Sequence, residues 1–502
     1  MKILFLAYEV ESNLLLELSK LYKKEGHETH LMNCDTWTFE HNQNWYKDYN
    51  NFCHDYSNLE KEYKTLNSLG PETDVDYNYL YQVEEEYSIC LNKIIRTDPI
   101  LYIFSHERDY YNNPHISIKF KWIELIVRKV INLLDDFKPE YILTSNNNYF
   151  VKNLIFHLSL AKKIPVLNVA SSRLQSKWII SDTFGLKTTD IYKKKMRTIG
   201  DFYIDESKQL IDEVMLTNKP SYSSHEKILS SINNRNLFLD FLKAFKETAK
   251  SLTLGIYTQK HYRGFFKPNY MSSVVSRSIW VEFRNLFRRG WIANRNIFVR
   301  DIPENLKYYY LTLHVIPEST ILTLSTDDLN EMSIIEEISS KLPIDTFLVV
   351  KENIQMLGLR SPDYYYQLSK IHNVLLINPE YNSMMLIKES LGVISMCGTN
   401  LIEASIANKR AILIGNAEYS ALSFVEKYNK FETQFYNYEY KPRSNNILQY
   451  IQTMNLLGED IDLNYLLYAK YQINNLNYAD YLSEVVKLKT LFDNFILMKS
   501  SD

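Results

Sequence analysis

The residues best placed to do chemistry lie between Gly392 and Gly415, in the stretch GVISMCGTNLIEASIANKRAILIG. A short β-branched strand runs into a Cys-Gly-Thr-Asn turn, and a helix of about two turns follows before a second apolar strand. Gly398 lets backbone approach a ligand closely, while Thr399 and the N–H groups at the helix start near Asn400 can donate to phosphate or ribose oxygens. Glu403, one turn into the helix, is placed to accept from ribose hydroxyls. The same residues also read as a variant capping box, with Asn400 as the cap and Glu403 reaching back to it, an arrangement that needs no ligand.

The elements that must hold this turn form an alternating series. Strand-like runs fall at Tyr308–Leu313, Thr346–Val350, Val374–Ile377, Gly392–Met396 and Ala411–Ile414, separated by helical patterns such as Asn330–Lys341 and Tyr381–Glu389. Such alternation predicts a parallel sheet with helices on both faces, and ligands of these sheets sit beyond the carboxyl ends of the strands. The residues just past each strand are polar: His314 with Glu318, Lys351 with Glu352, Asn378, Cys397-Gly398-Thr399, and Gly415-Asn416. The amino-terminal half repeats the theme, with strands at Met1–Tyr8, Thr29–Met32, Tyr141–Thr144 and Pro165–Val169 and a helix over Ser12–Lys24. At 502 residues the chain exceeds what one core usually covers, so the reading is α/β with two Rossmann-like domains and a cleft between them. The expected division is a first domain over 1–175 with a helical insertion at about 48–136. A helical, basic and aromatic connection over 176–300, a second domain over 301–445 and terminal helices over 446–502 complete it.

Composition narrows the classes. Hydrophobic residues at 45% and charged residues at 23% describe an ordinary globular chain rather than a disordered one. No apolar run reaches the length of a membrane span, and the early acidic residues of MKILFLAYEVE do not suit a secretion signal, so a cytoplasmic protein is expected. The four cysteines lack paired metal spacing, and there is neither a Walker loop nor a GxGxxG; no metal and no cofactor are expected. From Gln259 to Arg300 the charges are nearly all positive, and Arg284, Arg288 and Arg289 alternate with aromatics at helical spacing. Anionic lipid headgroups, a lipid-linked acceptor or an acidic polysaccharide fit that stretch, as does an interdomain helical hairpin whose arginines pair with acids. The net charge of −3 argues against a nucleic-acid binder.

Three stretches of the carboxyl half resemble the capsule-polysaccharide-biosynthesis proteins, glycosyltransferases of GT-B type related to the Kdo transferases: LHVIPEST (Leu313–Thr320), the segment Val349–Pro379, and CGTNLIEA with NKRAILIG. Tyr141–Arg173 is similar to that family's first-domain pattern. The resemblance implies two Rossmann-like domains in a GT-B arrangement with helical insertions, and sugar transfer from a CMP- or UDP-linked donor to a polysaccharide or lipid-linked acceptor, without a metal. It implies phosphate-facing roles for Lys351 and Arg360, a phosphate turn at Ser395, Gly398 and Thr399, ribose contact by Glu403, and places for His314 and Glu318 at the same mouth. The base then comes from the amino-terminal side of the cleft, with Glu9 after the first strand and the His106–Asp109 pair as candidates and Asp182 as a third. Where the family shows Lys-Glu-His-Pro, this chain has Lys351-Glu352-Asn353-Ile354, which keeps a non-catalytic binding protein among the alternatives. The strand-then-His at Thr312-Leu313-His314 and the Gly398–Ala404 spacing also resemble the hydrolysing UDP-N-acetylglucosamine 2-epimerases.

Overall fold

In the first strand, β1 (Lys2–Ala7), side chains alternate between two apolar layers. Ile3, Phe5 and Ala7 enter one core cluster, and Leu4 and Leu6 enter another. Apolar residues on both faces mark a strand covered on both sides, as parallel sheets require. The computed structural model describes residues 1–8, 11–34, 56–57, 59, 61–62, 65, 69–70, 72–98, 101, 115–146, 149–174, 177–217, 284, 287–288, 297–316, 319–431, 435–436, 446–468 and 478–501. Within them the other strands are β2 (Glu28–Asn33), β3 (Tyr56–Ser57), β4 (Tyr141–Thr144), β5 (Val166–Ser171), β6 (Lys177–Ser181), β7 (Lys307–Thr312), β8 (Thr346–Lys351), β9 (Val374–Ile377), β10 (Gly392–Ser395), β11 (Arg410–Leu413), β12 (Val425–Lys427) and β13 (Glu459–Asp460).

They form two sheets, ordered β13-β6-β5-β4-β1-β2-β3 and β12-β11-β10-β7-β8-β9. Every pairing is parallel except β5 with β6 and β6 with β13. The α/β class, with two predominantly parallel sheets and helices added, is therefore the fold of the described residues. The first sheet continues past position 175 through β6.

The chain order within each sheet sets where ligands can sit. From β1 the chain moves outward through β2 and β3, then returns to place β4 on the other side of β1. From β7 it moves outward through β8 and β9, then returns to place β10 on the other side of β7. The loops that leave these neighbouring strands diverge, opening a crevice at β1/β4 and another at β7/β10. Both faces of the second sheet are covered as well: Tyr308, Tyr310 and Val393 join the cluster that contains Ile3 and Phe5, while Tyr309, Leu311 and Ile394 pack with Ile334, Ile335 and Ile338.

The carboxyl-terminal residues return to the first sheet. β13 pairs with β6, and helix Tyr478–Ser500 packs along helix Ser12–Lys24. Tyr22 donates to Asp493 at 2.7 Å, Lys489 pairs with Glu25 at 2.7 Å, and Tyr478 donates to Glu17 at 2.9 Å. Between the two sheets, the Arg173 Nε pairs with Glu418 at 2.6 Å and Tyr450 donates to the Ser172 carbonyl at 2.8 Å. No described helix is long and apolar enough to cross a membrane.

Candidate functional site

The crevice between β7 and β10 gathers most of the residues singled out in the sequence. His314 follows β7, and its Nε2 lies 3.1 Å from the Oγ of Ser395, the last residue of β10. Ser395 Oγ in turn accepts the Gly398 N–H at 3.0 Å, and the Gly398 carbonyl accepts from the Tyr419 hydroxyl at 2.6 Å. Gly398, Thr399 and Asn400 remain half-buried at the mouth. Helix Asn400–Ile406 starts there, and its first turn is closed on itself: Leu401 donates to the Gly398 carbonyl at 3.3 Å and Ile402 to the Thr399 carbonyl at 2.9 Å.

The capping box does not form. Thr399 is the cap and makes no side-chain capping bond, and Asn400 instead donates its amide to Thr312 Oγ1 at 2.6 Å, fastening the turn to the end of β7. A helix held at both flanks by tertiary contacts does not need the reciprocal cap. Gly398 has a steric reason to be glycine: a Cβ there would stand 2.4 Å from Asn400 Oδ1 and 2.6 Å from Ser395 Oγ. Because Asn400 and Ser395 are both fixed by further partners, Gly398→Ala must open the turn. The expected cost is about 1–3 kcal/mol, as for other overpacked sites, read as a lower urea midpoint. An unchanged midpoint would show that the turn relaxes freely.

Lys351, at the end of β8, is not a solvated lysine. Its Nζ donates to the Tyr381 carbonyl at 2.6 Å and to Ser383 Oγ at 2.7 Å, tying β8 to the helix over Ser383–Glu389. Burial pushes its pKa down to about 8, against the opposing pull of Glu403. Glu403 is itself buried behind the turn, so its field reaches Lys351 through protein.

Arg360 corrects the sequence reading most sharply. It was expected to offer charge to a phosphate, but it is 9% exposed and its guanidinium is committed to two buried carboxylates. Nη2 pairs with Glu331 at 2.6 Å and Nε pairs with Glu352 at 2.7 Å. Nη2 also donates to the His314 carbonyl at 2.6 Å, while Glu331 accepts the His314 backbone N–H at 2.7 Å. Burial works against the Glu331 charge, yet Arg360 and His314 hold its pKa below the usual carboxylate range. Glu352 goes the other way: burial, reinforced by the like charge of Glu331, raises its pKa despite Arg360. Tyr365 donates to Glu352 at 2.7 Å. This cluster clamps His314 from behind.

The order Ser395, His314, Glu331 has the sequence of groups found in nucleophile–base–acid triads, with His314 Nδ1 3.6 Å from Glu331. Ser395 is 1% exposed and its Oγ holds the turn, so it has no room to attack a substrate. The Asn353-Ile354 departure has a local explanation. Asn353 caps a 3-10 turn over Ile354–Met356 by accepting from Gln355, and Ile354 is buried in the core.

Other expected residues fall elsewhere. Glu9, His106, Asp109, Glu318 and Arg289 lie outside the described residues. Asp182 is paired with Lys499, which fastens the terminal helix and removes it as a candidate base. Arg288 donates to the Leu359 carbonyl at 3.3 Å, a contact inside the chain, and Arg284 is half-buried.

The crevice between β1 and β4 holds a polar cluster that the sequence reading missed. Lys152, 0% exposed, pairs with Glu11, 2% exposed, at 2.5 Å and donates to Asn146 Oδ1 at 2.8 Å. Tyr8 and Tyr149 stack beside it with ring centroids 3.9 Å apart. Asp98 accepts from the Phe150 N–H at 3.1 Å, bonding the loop before Leu101 to the start of helix Phe150–Ala161. Glu11 and Lys152 are 141 positions apart, and only the pairing of β1 with β4 brings them together.

No family model and no curated protein matches the chain. Among solved structures it is similar to the UDP-GlcNAc 2-epimerase from Neisseria meningitidis bound to UDP-GlcNAc, at 14% identity over 100% of both chains with a TM-score of 0.22. It is also similar to the beta Kdo 2,7 transferase KpsC of Thermosulfurimonas dismutans, at 10% identity over 65% of this chain and 79% of that one with a TM-score of 0.29. A third is S. aureus MnaA with UDP, at 10% identity over 95% and 97% of the two chains with a TM-score of 0.22. Scores this low leave the α/β assignment resting on the two sheets themselves.

Proposed function

We propose that this chain is a glycosyltransferase that takes a sugar from a CMP- or UDP-linked donor and adds it to a cell-surface polysaccharide or lipid-linked acceptor. The observation that carries the reading is the convergence of His314, Ser395, Gly398 and Thr399 at the β7/β10 crevice, where an open sheet receives its ligand. Transfer needs stabilisation of a departing phosphate, and donors fixed before the charge develops are the efficient way to supply it. The half-buried turn offers the Thr399 hydroxyl to that phosphate, and Lys351, with Glu403 buried beside it, keeps positive charge behind the turn. The base is assigned to the amino-terminal half of the sequence, to Glu9 or the His106–Asp109 pair. The nearly all-positive, aromatic segment that includes Arg284, Arg288 and Arg289 suits an anionic acceptor at the cytoplasmic face of the membrane.

The direct test is thermal stabilisation by CMP, UDP and GDP, followed by transfer assays with the sugar forms of whichever nucleotide binds. A nucleotide at about 100 times its Kd should add about 2.7 kcal/mol of stability. If none of the three shifts the melting temperature, the donor-site reading falls. A hydrolysing 2-epimerase is the second reading, favoured by His314 directly after β7; it predicts donor turnover with no acceptor present. Nucleotide-sugar binding without turnover would identify a non-catalytic member of an assembly complex.

A further inference from the structure

The turn around Gly398 belongs to the second sheet, yet one of the bonds that shape it is anchored in the first. Gly398 stands between two fixed peptide planes: its N–H is held by Ser395 Oγ at 3.0 Å and its carbonyl by the Tyr419 hydroxyl at 2.6 Å. The Gly398 carbonyl and the Thr399 N–H share one plane and point in opposite directions, so the Tyr419 bond sets how the chain enters Thr399. Tyr419 is fully buried, and desolvation raises its pKa well above the usual phenol range. Its hydroxyl keeps its proton and stays a donor to that carbonyl.

Tyr419 follows Glu418 in the chain, and Glu418 is where the first sheet takes hold. The segment after β11 meets that side of the molecule at two points. Arg173 Nε pairs with the buried Glu418 carboxylate at 2.6 Å, and Thr188 Oγ1 accepts the Ala421 N–H at 3.3 Å. The ion pair is the shorter of the two and the one assisted by charge. Desolvation works against the Arg173 charge, but Glu418 outweighs it, with Tyr419 and Cys397 acting in the same sense, and the pKa rises above the usual guanidinium range. Arg173 is itself held from behind. It stands between β5 and β6 with φ at +62°, the left-handed region that is uncommon for a residue of this size. Its N–H donates to Ser171 Oγ at 3.1 Å, while the neighbouring Ser172 donates its hydroxyl to the Lys177 carbonyl at 2.8 Å and accepts the Tyr450 hydroxyl on its own carbonyl at 2.8 Å. The guanidinium is presented to Glu418 from a fixed base.

We propose that Arg173 is a positioning residue for the Gly398 turn. Through Glu418 and Tyr419 it sets the orientation of the Gly398–Thr399 peptide, so the turn on one sheet takes its working shape only while it is docked on the other. The use of that turn for a nucleotide rests on the donor-site reading above; the positioning does not. Arg173 acts at one remove from the ligand. By linkage, a nucleotide that requires the shaped turn also tightens the docking of the two sheets.

Two measurements on the full chain separate the positioning from the donor reading. The first is amide hydrogen exchange without ligand. The N–H groups of Gly398, Leu401 and Ile402, bonded to Ser395 Oγ, the Gly398 carbonyl and the Thr399 carbonyl, report opening of the turn. Arg173→Gln and Tyr419→Phe should each quicken their exchange about three- to tenfold relative to the amides of β8 in the same sheet, as expected for the loss of one hydrogen bond. A merely structural role would quicken β8 by the same factor and overturn the inference. The second is calorimetric titration with UDP and with CMP. Each single variant should bind about three- to tenfold more weakly. The double variant Arg173→Gln/Tyr419→Phe should bind no more weakly than the weaker single, since both changes break the same chain of contacts. Penalties that multiply in the double variant would put Arg173 on the nucleotide itself and overturn the inference, as would unchanged exchange at the turn in Arg173→Gln. Faster exchange at the turn in a protein that binds neither nucleotide would keep the positioning role and overturn the donor site alone. Should Arg173→Gln not fold, Glu418→Gln takes its place with the same expected results, since it keeps an acceptor for Arg173 Nε and loses only the charge.

Discussion

Arg360→Met should destabilise the protein by about 3–5 kcal/mol, because it leaves Glu331 and Glu352 buried without the cation they share. Methionine preserves much of the side-chain volume, so the loss reports charge more than a cavity. The pH dependence provides a sharper signature. Without Arg360, both carboxyls should have folded-state pKa values above their unfolded ones. The folded state then binds more protons than the unfolded state between those values, and stability declines as pH rises through that window. The variant should therefore lie nearer the wild type at about pH 5 than at about pH 7.5 when urea midpoints are compared. A loss below about 1 kcal/mol, or one independent of pH, would mean that the two carboxyls find other partners.

Lys152→Met should cost a similar amount, about 3–5 kcal/mol, by taking away the cation 2.5 Å from the Glu11 carboxylate. Here the informative comparison is the double variant Lys152→Met/Glu11→Leu. An apolar pair of similar volume should recover most of the loss, since the desolvation of both charges disappears together. If the double variant is as unstable as the single one, Lys152 matters through Asn146 and the loop after β4 rather than through Glu11. Melting and urea curves for the three proteins decide between these outcomes.

Both residues show which information a single sequence carries. The strand–turn–helix at Gly392–Leu413 was legible because its signals are local: β-branched residues, a glycine in a polar turn, a short amphipathic helix. For the same reason β4 and β9 and the helix Ser12–Lys24 were read with their observed bounds. The convergence of His314 with Ser395 was also readable, since alternating strands and helices imply a parallel sheet and a parallel sheet implies a crevice. Arg360 was not. In sequence it lies in a polar loop, and its two carboxylates arrive from helix Glu331–Ser340 and the end of β8 once tertiary structure folds them inward. Asn400 has the residue type of a cap, and only the position of Thr312 on the neighbouring strand shows why its amide goes elsewhere. Long-range pairing decided these cases, and residue type alone does not encode it.

The return of the terminal residues to β6 and to helix Ser12–Lys24 has a consequence for how the molecule can be made and divided. Tyr22 and Asp493 are separated by 471 positions, so this contact forms only after nearly everything else has been synthesised. Until then the amino-terminal half emerges with β6 as a bare edge and one side of its first helix uncovered. Loop closure over such a distance places the step among the slow ones, after each sheet has collapsed on its own local contacts. It also means that no single cut yields two complete halves. A fragment ending before residue 446 lacks the strand and helix that finish its first sheet, and the remainder carries them with nothing to cover. Joining 446–500 to the amino-terminal segment by a short linker, with the second sheet expressed apart, would respect the spatial division that the linear order conceals.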